Sequence, residues 1–91
     1  AKYHFDGCFI SADSISPDGS VHAVIAEEAH LKNLAIKLSG RKILMAASSK
    51  YFSSSGAMVA ELRDFSCWIT DKTTPAMTKL CLSAGTDLIK A

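Results

Sequence analysis

The chain lacks the loops that announce nucleotide binding. It has no G-x-G-x-x-G and no G-x-x-x-x-G-K, so the glycine-rich cradles for nucleotide phosphates are absent. No G-x-S-x-G surrounds Ser49, and a nucleophile elbow is unsupported. Cysteine is scarce. Cys8, Cys67 and Cys81 are odd in number, widely spaced and without a C-x-x-C, so they make no disulfide framework. They read as three reduced, buried thiols that pack as small hydrophobes. His4, His22 and His30 show no metal-ligand spacing and read as surface or partly buried residues. No metal or cofactor is expected. No apolar run approaches the roughly 20 residues that cross a bilayer. The opening Ala-Lys-Tyr-His-Phe-Asp lacks the charged-then-apolar pattern of a signal peptide. A cytoplasmic protein without a membrane partner is the expectation. Formal net charge is +1, which gives no electrostatic footprint for nucleic acid or a membrane surface.

What is present fits one small folded unit. A chain of 91 residues makes at most one small domain with a modest core. Its apolar share of 48% is that of a globular protein. It begins with Ala1 instead of Met, so a fragment or trimmed product is expected.

Apolar runs and turn residues order the elements. Phe5 to Ala12 reads as a first strand, followed by the tight turn Ser16-Pro17-Asp18-Gly19. Val21 to Ile25 is either a short extended segment or a lead-in to a helix. Glu27 to Leu38 reads as that helix, with Leu31, Leu34, Ala35 and Leu38 in one apolar stripe. Glu27 and Glu28 suit the positive end of its dipole, Glu28 and Lys32 form an i, i+4 pair, and Gly40 reads as its stop. Lys42 to Ala47 is a second strand. Ser53-Ser54-Ser55-Gly56 is a polar loop, expected to be mobile. Ala57 to Leu62 is either a helical turn or a short strand. Phe65 to Thr70 is a third strand, with Trp68 read as core, although an indole can also stack on a ligand. Thr74-Pro75 reads as an N-cap and first helical position. Met77, Leu80, Cys81 and Ala84 then repeat the helical stripe, Gly85 ends it, and Asp87 to Lys90 reads as a last strand. This βαβ series implies a largely parallel sheet with helices on its faces.

Three strand ends carry polar groups: Ser11 and Asp13, Ser48-Ser49-Lys50, and Thr70-Asp71. Parallel strands would bring them to one edge, where open α/β sheets bind ligands. Lysine with two hydroxyls suits a phosphate or carboxylate, and Asp13 or Asp71 could accept from sugar hydroxyls. A plainer reading stands beside this one. Ser, Thr and Asp also stabilise turns and caps at strand ends, and a lone Lys50 is an ordinary solvated charge.

Five segments, in order, carry a family resemblance. They are Phe5-Asp-Gly-Cys-Phe-Ile-Ser-Ala, Pro17-Asp-Gly-Ser, Glu28-Ala-His-Leu-Lys32, Ser48-Ser-Lys50 and Ile69-Thr-Asp71. Together they resemble the later part of the C-terminal effector-sensing domain of DeoR-family bacterial transcriptional regulators. The resemblance implies a non-catalytic domain related to sugar-phosphate isomerases and CoA transferases. It implies a three-layer, Rossmann-like α/β fold that is part of a larger sensing domain. It also implies a regulator, usually a repressor, of sugar metabolism that binds a phosphorylated sugar or similar metabolite and acts as a homo-oligomer. DNA would be bound only through an N-terminal winged helix-turn-helix, which residues 1–91 do not contain, as they do not contain the earlier half of the sensing domain. Lys50, Ser49, Asp71, Glu28 and Lys32 carry over as ligand-site or site-shaping candidates. Relatives usually place an aspartate directly before the Ser-Ser-Lys triplet, whereas this chain has Ala47.

Two other function classes remain at this stage. One is an isomerase-like enzyme, with Glu28 or Asp71 as base and Lys50 as electrophile. The other is a structural or dimerising unit without a ligand, associating through an exposed edge strand.

Overall fold

The computed structural model describes residues 4–91, so the first three residues of the N-terminal segment read above lie outside the described part. In chain order the elements are β1 (Phe5–Ser11), β2 (Ser14–Ile15), β3 (Ser20–Ala23), α1 (Ala26–Leu38), β4 (Ser39–Met45), β5 (Ala57–Glu61), β6 (Cys67–Thr70), α2 (Pro75–Ala84) and β7 (Asp87–Lys90). Single 3₁₀ turns lie at Ser48–Lys50 and Leu62–Asp64. Strands β1, β4, β6 and β7 form a parallel sheet in that spatial order. Strands β2, β3 and β5 form a small antiparallel sheet. The fold is therefore α/β, with a parallel sheet and a second, smaller sheet. Val21 to Ile25 resolves into β3, and Ala57 to Leu62 into β5.

Local chemistry explains the clearer boundaries. The Met77 N–H donates to Thr74 Oγ1 at 3.2 Å, and Pro75 opens α2 where its missing N–H costs nothing. Gly85 closes α2 in the left-handed region at φ 73°. Helix α1 ends differently from the expectation. Its last residue is Leu38, and Ser39 turns the chain straight into β4 with extended angles. Ser39 Oγ–H donates to the Ala35 carbonyl at 2.6 Å, which satisfies an orphan acceptor. Gly40 is thus a strand residue and not the stop.

Both helices lie on one face of the parallel sheet. β1→α1→β4 and β6→α2→β7 step in the same direction across it, and right-handed crossovers then place both helices on the same side. The core confirms this. Ile10, Leu44 and Trp68 share one row of the register and are buried with Ala29 and Ile36 of α1 and Met77 and Cys81 of α2. Val21, Val59 and Ala60 of the small sheet close the same cluster. The opposite face carries Phe9, Met45 and Ile89 in the open. Helices on one face, where both faces were expected to carry them, make the described residues a two-layer arrangement.

The apolar stripe of α1 is split, with Ala35 packed against the core and the two larger leucines Leu31 and Leu34 left outside it. Ala29 and Ile36 are buried, whereas Leu31 is 64% and Leu34 42% exposed. Asn33 points inward with them and donates to the Val59 carbonyl at 2.9 Å. The inner face is chosen by small Ala29 and by Asn33 bonding the small sheet, not by the larger leucines. Among the cysteines, Cys67 and Cys81 are buried and Cys8 is half-buried, all free. Burial pushes the Cys81 thiol up to about 11, which keeps it protonated and inert.

Candidate functional site

The parallel register brings the strand ends to one edge. Ser11, Met45, Ile69 and Ile89 lie in one row across the sheet, so β1, β4 and β6 all leave on the same side. β4 and β6 are direct neighbours. After β4 the Ala46 N–H still donates to the Ile69 carbonyl at 3.1 Å, and the buried Trp68 Nε1–H donates to the Ala46 carbonyl at 2.9 Å. The chain is therefore fixed up to Ala46. Ala47 is extended, and Ser48–Lys50 makes one 3₁₀ turn.

Asp71, the first residue after β6, holds that turn. The Ser48 N–H donates to Asp71 Oδ1 at 2.7 Å, and Thr70 Oγ1–H donates to the same oxygen at 3.3 Å. The Ser48 backbone N–H, then the Ser48 hydroxyl, draw the Asp71 carboxyl down to about 2. Asp71 is thus a carboxylate at neutral pH, with Oδ1 committed to the turn. Oδ2 makes no hydrogen bond among the described residues. Ser49 and Lys50 are exposed on the turn itself.

Lys32 sits at the neighbouring strand end. Its Nζ donates to the Ser11 carbonyl at 2.8 Å and to Ser11 Oγ at 3.3 Å. The expected Glu28–Lys32 pair is not formed, because the β1 terminus offers Lys32 two oxygens. Glu28 remains exposed in the first turn of α1. Asp13 is used differently from the strand-end reading, since its Oδ2 accepts the Val24 N–H at 2.8 Å and ties down the entry to α1. The ion pair found among the described residues is Arg63–Glu61 at 2.6 Å, away from this edge. Lys50 therefore has no carboxylate partner there. Of the five candidates, the structure joins Asp71 to the turn bearing Ser49 and Lys50. It puts Lys32 one strand away and gives Glu28 no hydrogen bond or ion pair to any of them.

The segment after the turn is fastened, not loose. Tyr51 packs on Trp68 with ring centroids 6.2 Å apart, and the Phe52 N–H donates to the Ile15 carbonyl at 2.8 Å. Ser14 Oγ and Ser55 exchange two hydrogen bonds at 3.2 Å, and Ser16 Oγ–H reaches the Ser53 carbonyl at 3.4 Å. Buried Ser14 of β2 and Ser16 just after it thus bond the serine loop that was expected to be mobile. Sequence reasoning missed Tyr51 as a support of the turn. An aromatic pair directly after Ser-Ser-Lys was the available signal.

Clefts elsewhere do not coincide with these residues. One of about 220 Å³ lies between the Leu62–Asp64 turn and α2, lined by Asp18, Arg63 and Leu80 among others. Two more flank α2, and none of the three is lined by the five candidates. Among the described residues no group of three His, Cys, Asp or Glu could hold a metal ion, and no helix is long and apolar enough to cross a membrane.

The chain is an α/β domain with a parallel sheet whose polar strand ends meet on one edge, the edge at which open sheets of this kind bind ligands. The family model of the DeoR C terminal sensor domain matches residues 1–72, and the chain belongs to that family. It is the effector-sensing domain of a DeoR-family regulator. The match runs from before β1 through Asp71 and includes the Ser48–Lys50 turn. α2 and β7 lie beyond it. A search of the curated proteins finds no match.

Proposed function

We propose that the edge formed by β1, β4 and β6 binds a phosphorylated sugar or a similar anionic metabolite, and that the protein is a repressor of sugar metabolism. One observation carries this reading: Asp71, from one strand end, fixes by a 2.7 Å bond the turn that presents Ser49 and Lys50 at the next. Lys50 supplies the charge and Ser49 a hydroxyl donor for a phosphate. Asp71 Oδ2 accepts from a sugar hydroxyl. Lys32, anchored on Ser11, adds a second positive charge at the same edge, and Glu28 shapes the approach from α1. In this reading residues 1–91 are the later part of a sensing domain. DNA is bound by a winged helix-turn-helix elsewhere in the regulator, which works in the cytoplasm as a homo-oligomer.

The regulatory consequence follows from linkage. An effector shifts DNA binding only through unequal affinity for two conformations. The test is thermal unfolding with phosphorylated sugars, the matched free sugars and inorganic phosphate, because a ligand of the native state raises the melting temperature. The expected outcome is a rise with one sugar phosphate that its free sugar does not give. With the intact regulator, equal rises with both would remove the phosphate role of Lys50, and no rise with any would remove the sugar-phosphate class.

A further inference from the structure

Phe52 is placed unfavourably in two respects at once. Its φ is 74°, and the other positive φ values among the described residues belong to Gly19, Gly56 and Gly85. Glycine enters the left-handed region freely, whereas a Cβ is penalised there and a bulky aromatic is an outlier. Burial does not offset that penalty, because Phe52 is 71% exposed. Its backbone is strained and its ring stands in solvent.

The surroundings impose the strain. The Phe52 N–H donates to the Ile15 carbonyl at 2.8 Å, and the Tyr51 N–H donates to the Ser48 carbonyl at 3.0 Å. On the other side, Ser53 Oγ–H reaches the Lys50 carbonyl at 3.4 Å, and Ser16 Oγ–H reaches the Ser53 carbonyl. Tyr51 turns inward onto Trp68, and its ring meets that of Phe52 edge to face at 5.8 Å. A backbone over-determined in this way keeps a sparsely populated conformation, and such residues cluster where ligands are held. The position of Phe52 fits that use. It follows Lys50 by two residues, and the carbonyl it bonds lies two residues after Asp13. Phe52 therefore stands between the segments that leave β4 and β1, beside the turn that Asp71 holds.

We propose that Phe52 is a specificity-determining residue of this edge, its ring covering the C–H face of a sugar phosphate whose phosphate lies on Lys50. This rests on the sugar-phosphate reading of the edge and adds what that reading lacks, a nonpolar wall. Small-molecule sites combine a few placed polar groups with apolar and aromatic surface, and Ser49, Lys50 and Asp71 supply only the polar part. A cyclic sugar has C–H groups on a face that its hydroxyls leave bare, and an aromatic ring takes them out of water. Roughly 50 Å² of such apolar contact is worth about tenfold in affinity. The ring thus favours a cyclic sugar phosphate over inorganic phosphate, which the polar groups hold alone.

Thermal unfolding and calorimetric titration of the intact regulator, as parent, Phe52→Gly and Phe52→Tyr, test the proposal. The probes are pentose and hexose monophosphates and inorganic phosphate. Phe52→Gly relieves the strain and raises the melting temperature by a few degrees. The same variant weakens the tightest-binding sugar phosphate about tenfold and leaves inorganic phosphate unchanged. Phe52→Tyr keeps the ring, and with it the melting temperature and affinity of the parent. A melting temperature that fails to rise in Phe52→Gly overturns the proposal, since the ring then offsets its strain by packing within the regulator. Unchanged sugar-phosphate affinity in that variant overturns it and leaves the sugar-phosphate reading intact. Equal weakening of inorganic phosphate also overturns it, because Phe52 then acts through the geometry of the turn. A parent that binds none of the sugar phosphates removes the underlying reading and this proposal together.

Discussion

Gly56 is the position where a single methyl group should cost most. It begins the approach to β5 at φ 83°, in the left-handed region. A Cβ built there meets the Ala23 carbonyl oxygen first, with the Ala23 carbonyl carbon and Val24 Cα both at 2.7 Å. All three are backbone atoms at the β3–α1 junction, so none can swing aside as a flexible side chain would. Gly85 is the built-in control. It has nearly the same φ, 73°, and nothing within 4 Å of its Cβ position. Gly85→Ala therefore carries only the left-handed penalty, about 1–2 kcal/mol. Gly56→Ala adds displacement of packed backbone, about 1–3 kcal/mol more. The sum, about 2–5 kcal/mol, is a large part of the roughly 5–14 kcal/mol that a domain of this size has. Urea denaturation of the two variants and the parent chain measures both effects in one series. Equal losses in the two variants would refute the close-approach argument. A Gly56→Ala loss below about 0.5 kcal/mol would refute the conformational part as well.

Other outcomes follow from single contacts. Lys50→Ala should leave the melting temperature of the free chain unchanged and weaken a sugar phosphate roughly ten- to a hundredfold, from a charge-assisted bond of about 1.5–3 kcal/mol. Calorimetric titration showing equal affinity would exclude Lys50 as the phosphate contact. Asp71 titrates at about 2 in the folded chain against an ordinary 3.8, so the unfolded chain binds more protons in acid. Its contribution is complete above about pH 4 and lost as pH falls through 2, and Asp71→Asn should flatten acid unfolding in that window. Thr74→Ala removes the α2 cap and should cost about 1 kcal/mol in denaturant, with a null effect counting against the cap. Ser14→Ala leaves Ser55 without its buried partner, and hydrogen exchange should show faster amides at residues 52–55 with β1 and β4 unchanged.

The sequence was most readable where one residue type has one physical use. Thr74-Pro75 and Gly85 bound α2 because a cap oxygen, a missing N–H and a left-handed end have few substitutes. Short apolar stretches between turn and helix signals located the four parallel strands. The small antiparallel sheet was not legible. β2 is two residues long, pairs with β3 at only two positions, and is tied by the Ser14 side chain to the Ser55 backbone 41 residues on, which no local pattern announces. The α1 stripe misled for a related reason. Periodicity locates an apolar face but not what lies opposite it, and Leu31 and Leu34 stay exposed among the described residues. Strand-end polarity identified Asp71 and Lys50 as neighbours, but not the atom-level link. That link is a backbone N–H, which every residue except proline has, so no side-chain pattern encodes it.

Ala47 gives the same link its significance. It occupies the N-cap position of the Ser48–Lys50 turn and has no side-chain acceptor to offer the turn's N–H groups. The acceptor comes instead from the neighbouring strand, through Asp71 Oδ1. A carboxylate that would otherwise be wholly available to a ligand is thereby half committed to structure. The site keeps its cations, Lys50 and Lys32, and has one carboxylate oxygen left for hydroxyl recognition. If this edge is the proposed ligand site, it suits charge better than sugar hydroxyls, because an anion gains from both lysines while a neutral polyol meets a single acceptor. On the proposed sugar-phosphate reading, the ligand expected at this edge is one whose phosphate, and not its pattern of hydroxyls, supplies most of the affinity.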